Sequence, residues 1–245
     1  VLWAKGAGGL YDDYGQGVTT DALGNVYVAG YFGSQSIVFG TDTLTNMSAF
    51  LGITDAFIVK YDALGNVLWT KRAGYIFGDR ASDITTDASG NVYVTGLFDT
   101  QITFGSFTVS SGASYTQTFI VKYDSAGNAL WAKSSTASST SASSYGTGVS
   151  TDDSGNVYIT GGTAYAPVTF GTTTLANAGG QDMFIVKYDA TGTMQWARGA
   201  GGTGQEYGHD IAADAAGNVY IVGDFASPFM VFGTDTLTTN GGDDI

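Results

Sequence analysis

The chain has 245 residues, 43% of them hydrophobic, which is enough to bury a sizeable core. Its formal net charge is −13 and it carries only nine lysines and arginines, so a nucleic acid is a poor partner. It has no cysteine, which excludes disulfides, thiolate metal sites and thiol catalysis.

In chain order, residues 1–9 are predicted to form the fourth strand of a preceding or shared unit. Three similar units follow at residues 10–74, 75–135 and 136–200, and an incomplete fourth covers residues 201–245, all in one continuous repeat domain. Four tryptophans lie 66, 62 and 65 residues apart: Trp3, Trp69, Trp131 and Trp196. A fixed period of this length indicates repeated supersecondary units that stack to bury a core.

Within one unit, apolar and polar residues alternate with the period of a β-strand. The second unit predicts strands at residues 83–87, 91–98, 119–124 and 128–133, with a hairpin-like insertion at 102–109. Four antiparallel strands in about 62 to 66 residues are typical of a β-propeller blade. We therefore expect an all-β array of blades. Its core should contain these residues: Val26, Val28, Ile58, Val92, Val94, Ile120, Val121, Ile159, Ile185 and Ile221.

Turns of the form Asp-x-x-Gly-Asn/Thr punctuate every unit. They begin at Asp21, Asp62, Asp87, Asp124, Asp152, Asp189 and Asp214. The carboxylate of such an aspartate accepts backbone N–H groups and the glycine supplies positive φ. An EF-hand-type calcium loop needs acidic ligands at alternate positions over about 12 residues, and these turns carry one each. They predict turn chemistry, with no metal site and no cofactor.

The spacing Asp-x-x-Gly-x-x-x-Trp resembles the tryptophan-docking motif of quinoprotein-type propellers. In those proteins an outer-strand tryptophan packs between adjacent blades, and quinone binding does not follow from the motif. We therefore predict structural roles for the four tryptophans and for the aspartates Asp62, Asp124 and Asp189, with Trp69, Trp131 and Trp196 buried between neighbouring blades.

Four sequence motifs together resemble the SBBP (β-propeller) repeat of secreted bacterial proteins. They are Gly-Asn-Val-Tyr-Val-Thr-Gly, Phe-Gly, Asp-x-Phe-Ile-Val-Lys-Tyr-Asp and Gly-Asn-x-Leu-Trp-x-Lys. The second unit departs from this pattern, because residues 115–118 replace the Gly-Gly-x-Asp found at 179–182 and 241–244. The resemblance implies an extracellular, surface-displayed protein and little defined biochemistry.

The sequences at the two termini match parts of a blade. Residues 1–5 match a fourth strand, and residues 241–245 open a third strand. A four-bladed ring closed from these termini would lack one central strand and leave open edges. We therefore expect a fragment of a larger propeller or of an open repeat array. The expected partners are other copies of the chain or adjoining repeats, joined by strand addition.

The segments that enter the first strand of each unit vary, whereas the turns do not, and variable loops on a rigid scaffold usually carry specificity. An aromatic or cationic residue occupies one equivalent position there: Tyr14, Arg80, Tyr145 and Tyr207. With Glu206 and His209 they form a candidate glycan-binding rim, since a flat sugar face stacks on tyrosine. The competing interpretation is that each tyrosine packs on the neighbouring blade.

Catalysis has little support in the sequence. The chain has one histidine and no Gly-x-Ser-x-Gly nucleophile elbow. A glycosidase would need two carboxylates close together, and the candidates are Asp12, Asp13, Asp79 and Glu206. We predict an extracellular, non-catalytic structural or adhesive repeat protein. A glycan-binding module and a glycoside-cleaving enzyme stay as alternatives.

Overall fold

A computed structural model describes residues 2–48, 50, 52–112, 116–137, 139–239 and 241–245. These residues form 22 β-strands and no α-helix, which confirms the all-β prediction. With no helix among the described residues, none is long and apolar enough to cross a bilayer.

Three groups of four antiparallel strands follow one another and are called blades 1 to 3; a hairpin added to blade 2 makes its sheet six-stranded. Blade 1 contains β1 (Asp13–Thr20), β2 (Val26–Phe32), β5 (Asp55–Tyr61) and β6 (Val67–Ala73). Blade 2 contains β7 (Asp79–Thr86), β8 (Val92–Asp99), β11 (Thr116–Tyr123) and β12 (Ala129–Ala137). Blade 3 contains β13 (Ser143–Thr151), β14 (Val157–Ala164), β17 (Gln181–Tyr188) and β18 (Met194–Ala200).

A fourth blade is represented by the pair β19 (Glu206–Ala213) and β20 (Val219–Phe225). A single bridge between Phe225 and Asp244 starts pairing on the other edge of β20. The four strands predicted for the second unit are thus present. Three of them run three or four residues past one predicted bound, and the other bounds differ by one residue. Residues 2–9, predicted as a fourth strand, belong to no strand. The sheets do not close on one another. Of the divergent segment at 115–118, Tyr115 lies outside the described residues, whereas the residues from Thr116 onward begin β11.

Each blade also carries a short hairpin between its second and third strands. These hairpins are β3 (Ser36–Phe39) with β4 (Asp42–Thr45), β9 (Gln101–Phe104) with β10 (Phe107–Ser110), β15 (Val168–Phe170) with β16 (Thr173–Leu175), and β21 (Phe229–Phe232) with β22 (Asp235–Thr238). The sequence predicted an insertion within each unit. The third hairpin instead pairs with the preceding blade, because Val168–Phe170 run antiparallel to residues 135–137 of β12.

The first strands of successive blades lie side by side and are joined by hydrogen bonds. The Thr86 hydroxyl donates to the Thr20 carbonyl (2.9 Å), and the Val149 N–H donates to the Asp83 carboxylate (2.8 Å). Thr147 donates to the Gly208 carbonyl (2.6 Å). These contacts set the blades in one consistent order, with their variable entry segments on the same side.

The core consists of the sheet faces that neighbouring blades press together. In blades 1 to 3 a phenylalanine from the hairpin packs on one from the third strand, as in Phe104 and Phe119, whose ring centroids lie 4.9 Å apart. Six predicted core residues are buried: Ile58, Val92, Val94, Ile120, Val121 and Ile159. The other four are partly buried: Val26, Val28, Ile185 and Ile221. Three of these four belong to blades 1 and 4, which have a neighbour on one side only.

Candidate functional site

We call the side of the array that carries the Asp-x-x-Gly turns the turn face. In blade 2, one oxygen of Asp87 accepts the N–H groups of Ser89 and Asn91, both at 2.9 Å. The other oxygen accepts the Asn91 amide (2.7 Å) and the Tyr93 hydroxyl (3.0 Å). Equivalent hydrogen bonds from Asn66 hold the pKa of Asp62 below its usual value. The carboxylates are therefore fully engaged within their own turns.

No metal site is evident in the described residues, which contain no group of three or more His, Cys, Asp or Glu side chains able to hold an ion. Each turn contributes one carboxylate. At Asp152 each oxygen accepts two hydrogen bonds from the turn and the following tyrosine, and at Asp62 the two oxygens accept three from the turn. A cation would have to displace those donors to bind there.

The tryptophans link each blade to the next at the turn face. The indole N–H of Trp3 donates to the Ala63 carbonyl, that of Trp69 to Ser125 and that of Trp131 to Ala190, each at 3.2 Å. Trp131 is buried, whereas the other three tryptophans are partly buried.

Each docked indole ring lies against the glycine of the turn it contacts. Gly192 has φ +80°, and a Cβ added to it would lie 2.7 Å from Cδ2 of Trp131. Gly127 has φ +81° and stands in the same relation to Trp69 at 3.0 Å. Glycine is required there for two reasons, since it supplies the left-handed conformation and leaves room for the ring.

A lysine on the third strand reinforces the same contact. The ammonium group of Lys60 donates to the Ser125 carbonyl (3.0 Å) and that of Lys122 to Ala190 (3.2 Å). Lys122 also lies 5.0 Å from the ring centroid of Tyr93, and burial lowers its pKa. The recurrent aspartate, tyrosine, lysine and tryptophan thus form one unit, which we call the docking module.

The opposite side, which we call the connector face, varies between blades. The carboxylate that begins a first strand accepts the N–H of the residue four positions earlier. This occurs from Gly9 to Asp13 (2.7 Å), from Tyr75 to Asp79 (2.7 Å) and from Gly202 to Glu206 (2.9 Å). Blade 3 has Ser144 at this place. These carboxylates hold the connectors in position.

Two blade junctions on the connector face contain buried carboxyl pairs. Asp55 and Asp79 lie between blades 1 and 2, and Asp182 and Glu206 between blades 3 and 4. Burial, with the charges of Asp55 and Asp99, raises the pKa of Asp79 to about 8. Burial also raises the pKa values of Asp55 and Asp182. Among the described residues, one oxygen each of Asp55, Asp79 and Asp182 has no hydrogen-bond partner.

The junction between blades 2 and 3 has no carboxyl pair. Instead, the Ser135 hydroxyl donates to the Gln117 side-chain carbonyl (2.9 Å) and lies 2.7 Å from the Ser144 hydroxyl. The Gln117 amide donates to the Ala142 carbonyl (3.1 Å). All these side chains are buried, so the same slot is filled by a neutral, fully bonded network.

Glu206 does not belong to an exposed rim, contrary to the prediction. Its side chain is fully buried and bonded to the Gly202 N–H and the Ser227 hydroxyl. Asp79 is fully buried as well. The two carboxyls lie at different junctions, separated by blades 2 and 3, so they do not form the close pair that a glycosidase would need. The signal in the sequence was the Gly-Gly that precedes Asp13 and Glu206, because it marks a connector that folds back on the carboxylate.

The remaining rim residues fall into two groups. In blades 1 and 2, the Tyr14 ring packs on Tyr31 (5.1 Å between centroids), and the Arg80 guanidinium lies 4.8 Å from the Tyr31 ring. Tyr31 belongs to blade 1, so Tyr14 packs within its own blade, contrary to the interpretation in which each tyrosine packs on the neighbouring blade. In this group only Arg80 reaches across to the neighbouring blade. Tyr31 was missed by the sequence reasoning, although its position opposite Tyr14 follows from the strand register.

In blades 3 and 4 the corresponding residues carry polar partners. The Tyr145 hydroxyl donates to Oε1 of Gln181 (2.8 Å). The Tyr207 hydroxyl donates to Oε1 of Gln205 (2.6 Å), and its ring stacks on His209 with 2° between the planes. The backbones of Gln181 and Gln205 are bridged, which connects the two tyrosines across the junction.

His209 also pairs with Asp224 on the neighbouring strand. The glutamines and Asp224 were not predicted, because they acquire their role from cross-strand pairing. Gln205 sits in a connector and Asp224 opposite Tyr207 on β20, so nothing in their local sequence marks them.

Comparison with known proteins agrees with this architecture. The family profile described as a β-propeller repeat, SBBP, matches residues 4–31. The chain carries the SBBP repeat. A curated relative is the "Uncharacterized WD repeat-containing protein L264" of Acanthamoeba polyphaga mimivirus, with 29% identity over 287 aligned positions. The alignment covers 98% of this chain and 20% of that protein, so the chain spans about a fifth of its relative's length.

Proposed function

We propose that this β-propeller repeat protein is an extracellular, non-catalytic structural or adhesive component of a cell surface. The observation that carries the proposal is the docking module, in which the recurrent tryptophan and lysine join blades and the recurrent aspartate and tyrosine hold the turn. A chain whose repeated residues are all committed to the scaffold has its variable positions free for contact with other molecules.

The extracellular location rests on the resemblance to the SBBP repeat of secreted proteins. The composition is compatible with it, because a domain of this size is stable without disulfides when its core is large enough. The non-catalytic role is supported by the burial of Asp79 and Glu206, the two carboxyls that a hydrolytic role would need most.

Partners are expected at the edge of blade 4. Strand β20 pairs along its length with β19, and Tyr220, Val222 and Leu237 are exposed at its side of the array. Trp196 has no indole hydrogen bond among the described residues and contacts Tyr158 of its own blade. We propose that an adjoining repeat or another copy of the chain covers this edge by strand addition, with Trp196 docked as Trp131 is.

Surface labelling and an activity screen test the proposed role. Intact source cells are treated with a membrane-impermeant biotin reagent, and we expect the protein to be labelled while a cytoplasmic marker is not. Purified protein should not hydrolyse chromogenic glycosides. Labelling that requires cell lysis would contradict the location, and turnover abolished by Asp79→Asn would contradict the non-catalytic role.

The native mass and light scattering of the purified protein test strand addition. Concentration-dependent head-to-tail assembly that Trp196→Ala weakens supports pairing between copies. If the intact native polypeptide contains further repeats and stays monomeric, an adjoining repeat covers the edge. A compact monomer of the present chain at high concentration contradicts pairing between copies.

A further inference from the structure

An exposed tyrosine in an unusual conformation lies beside the polar group of blades 3 and 4. Tyr165 has φ +69°, and 72% of its surface is exposed. Bulky residues rarely adopt positive φ, and those that do cluster at ligand sites. At the equivalent place in blade 2 the chain has the smaller Thr100, with φ +63°. Blade 3 therefore holds an aromatic ring in solvent where blade 2 has a short polar side chain.

Tyr165 directly follows Ala164, which pairs with Gln181 on the neighbouring strand, and the side chain of Gln181 accepts the Tyr145 hydroxyl. Burial raises the pKa of Tyr145, and the nearby Tyr207, Asp224 and Tyr165 raise it further. Gly162 lies opposite Tyr145 on β14, and a side chain there would overlap the Tyr145 ring. The fold thus gives the tyrosines a shared surface across blades 3 and 4. We call Tyr145, Tyr165, Tyr207 and His209 the aromatic platform.

Hydrogen-bonding groups border the aromatic platform. The side-chain oxygens of Gln181 and Gln205 accept the two tyrosine hydroxyls, which turns each amide NH₂ away from those bonds. No hydrogen bond from either NH₂ group is formed within the described residues. Asp224, which pairs with His209, supplies carboxylate oxygens on the same side. The region therefore offers two amide donors and one acceptor next to flat rings.

This combination selects a class of ligand. A pyranose with equatorial hydroxyls has a flat C–H face that stacks on an aromatic ring, while its edge hydroxyls take hydrogen bonds from amides and carboxylates. The chain's charge of −13, with Asp224 in the site, disfavours anionic sugars. Tyr165 is exposed, and an open surface suits several residues of a polymer better than one small molecule.

We propose that the aromatic platform binds a neutral, β-linked oligosaccharide, with sugar rings stacked on Tyr165 and Tyr207 and hydroxyls bonded to Gln181, Gln205 and Asp224. This inference rests on the adhesive part of the proposed function and names its ligand class. Tyr14 is a matched control, because it occupies the position equivalent to Tyr207 and its ring is instead packed on Tyr31.

Isothermal titration calorimetry with purified protein tests the proposal. The probes are cellohexaose and chitohexaose, with an oligogalacturonate of the same length as the anionic control. We expect saturable binding of at least one neutral hexaose, with Kd raised about tenfold, or 1.4 kcal/mol, by Tyr207→Ala. Tyr14→Ala should leave Kd within about twofold. Absence of neutral-sugar binding at millimolar concentration, preference for the anionic probe, or equal loss in Tyr14→Ala would overturn the proposal.

A second variant separates binding from folding. Tyr165→Gly removes the ring and relieves the positive-φ strain, so the melting temperature should stay or rise while sugar affinity falls. Unchanged affinity in this variant would also overturn the proposal. The titration and the surface labelling test different proposals. If the protein is labelled on intact cells but binds no sugar, the proposed ligand is wrong and the proposed surface location stands. If the protein binds the sugar but is not labelled on intact cells, the proposed location is wrong and the proposed ligand stands.

Discussion

The turn face and the connector face both join neighbouring blades, but they do so with different side chains. At the turn face, each complete junction repeats one arrangement of tryptophan, glycine, lysine and tyrosine, with nearly identical distances. At the connector face, the equivalent slot holds acids at two junctions and a hydroxyl–amide network at the third. The constant side chains of the turn face therefore fix the geometry of a junction, and the side chains of the connector face can differ from one junction to the next.

The energetic character of the halves also differs. The docking module combines apolar burial with hydrogen bonds that are satisfied on both sides, which stabilises at any ordinary pH. In the acidic junctions Asp55, Asp79 and Asp182 each have one buried oxygen without a hydrogen-bond partner. Asp55 is paired with Arg72, whereas burial of Asp79 favours its protonated form. Stability is thus expected to come from the turn face, and pH sensitivity from the connector face.

Removing a docked tryptophan should give the largest effect. Trp131→Ala deletes a buried ring between blades 2 and 3, and we expect a loss of about 3–5 kcal/mol in the free energy of unfolding. The control is Trp196→Ala, whose ring lies on one blade alone, with an expected loss of about 1–2 kcal/mol. Urea denaturation followed by circular dichroism measures both. Equal losses would mean that docking across the junction adds nothing.

Raising the pH should destabilise the protein by way of the connector face. The pKa of Asp79 is about 8 in the folded state, against about 3.9 in an unfolded chain. Between these pH values the Asp79 carboxyl is protonated in the folded state and ionised in the unfolded state. The contribution of Asp79 to the free energy of unfolding is therefore largest below pH 4 and falls until about pH 8. Asp83, with a pKa of about 6, contributes in the same direction from pH 4 to 6.

Each pKa unit corresponds to about 1.4 kcal/mol, so the three units between pH 5 and pH 8 predict a fall of roughly 4 kcal/mol in the free energy of unfolding from Asp79. Chemical denaturation at several pH values measures it. Asp79→Asn should flatten most of the slope, whereas Asp153→Asn, at an exposed position, should not. The turn aspartates, such as Asp124, have lowered pKa values and lose their stabilisation only below about pH 4. A stability that rises from pH 5 to pH 8 would contradict this account.

The glycine under each tryptophan can be tested against a glycine with the same backbone conformation. Gly127→Ala combines positive-φ strain with a Cβ 3.0 Å from Trp69, whereas Gly24→Ala adds strain beside a Cβ at 3.7 Å. We expect Gly127→Ala to cost about 1–3 kcal/mol more than Gly24→Ala in thermal or urea unfolding. If both cost the same, the ring has room to shift and the close packing is not required.

The smallest effect concerns the hydroxyl inside the docking module. Tyr93→Phe keeps the buried ring and removes its hydrogen bond to Asp87, for an expected loss of about 1 kcal/mol. Tyr220→Phe is the control, because that hydroxyl is exposed and lies 3.4 Å from Asp214. A matching loss in Tyr220→Phe would show that the bond contributes locally to the turn and not through the junction.

The sequence was sufficient to predict the structure of the turn face, because the residues of that face repeat from blade to blade. Period-two strands and the tryptophan spacing predicted the blades, and the structure confirms them. The connector face could not be predicted in the same way. The preceding Gly-Gly marks Glu206 only as part of a connector, and its burial also depends on Ser227, which lies 21 residues away in the sequence. The pairing of β15 with β12 was equally hidden, since it depends on how two blades are placed and not on either segment alone.

Under a pulling force, blades 2 and 3 should behave as one mechanical element. The hairpin β15–β16 lies within the sequence of blade 3 but is hydrogen-bonded to the outer strand of blade 2 through residues 135–137. Extending either blade must tear this ladder, which removes an edge strand from the other. A chain stretched by its ends in an optical trap would then lengthen in one step covering about two blades. Two separate single-blade steps would show that the ladder bears no load.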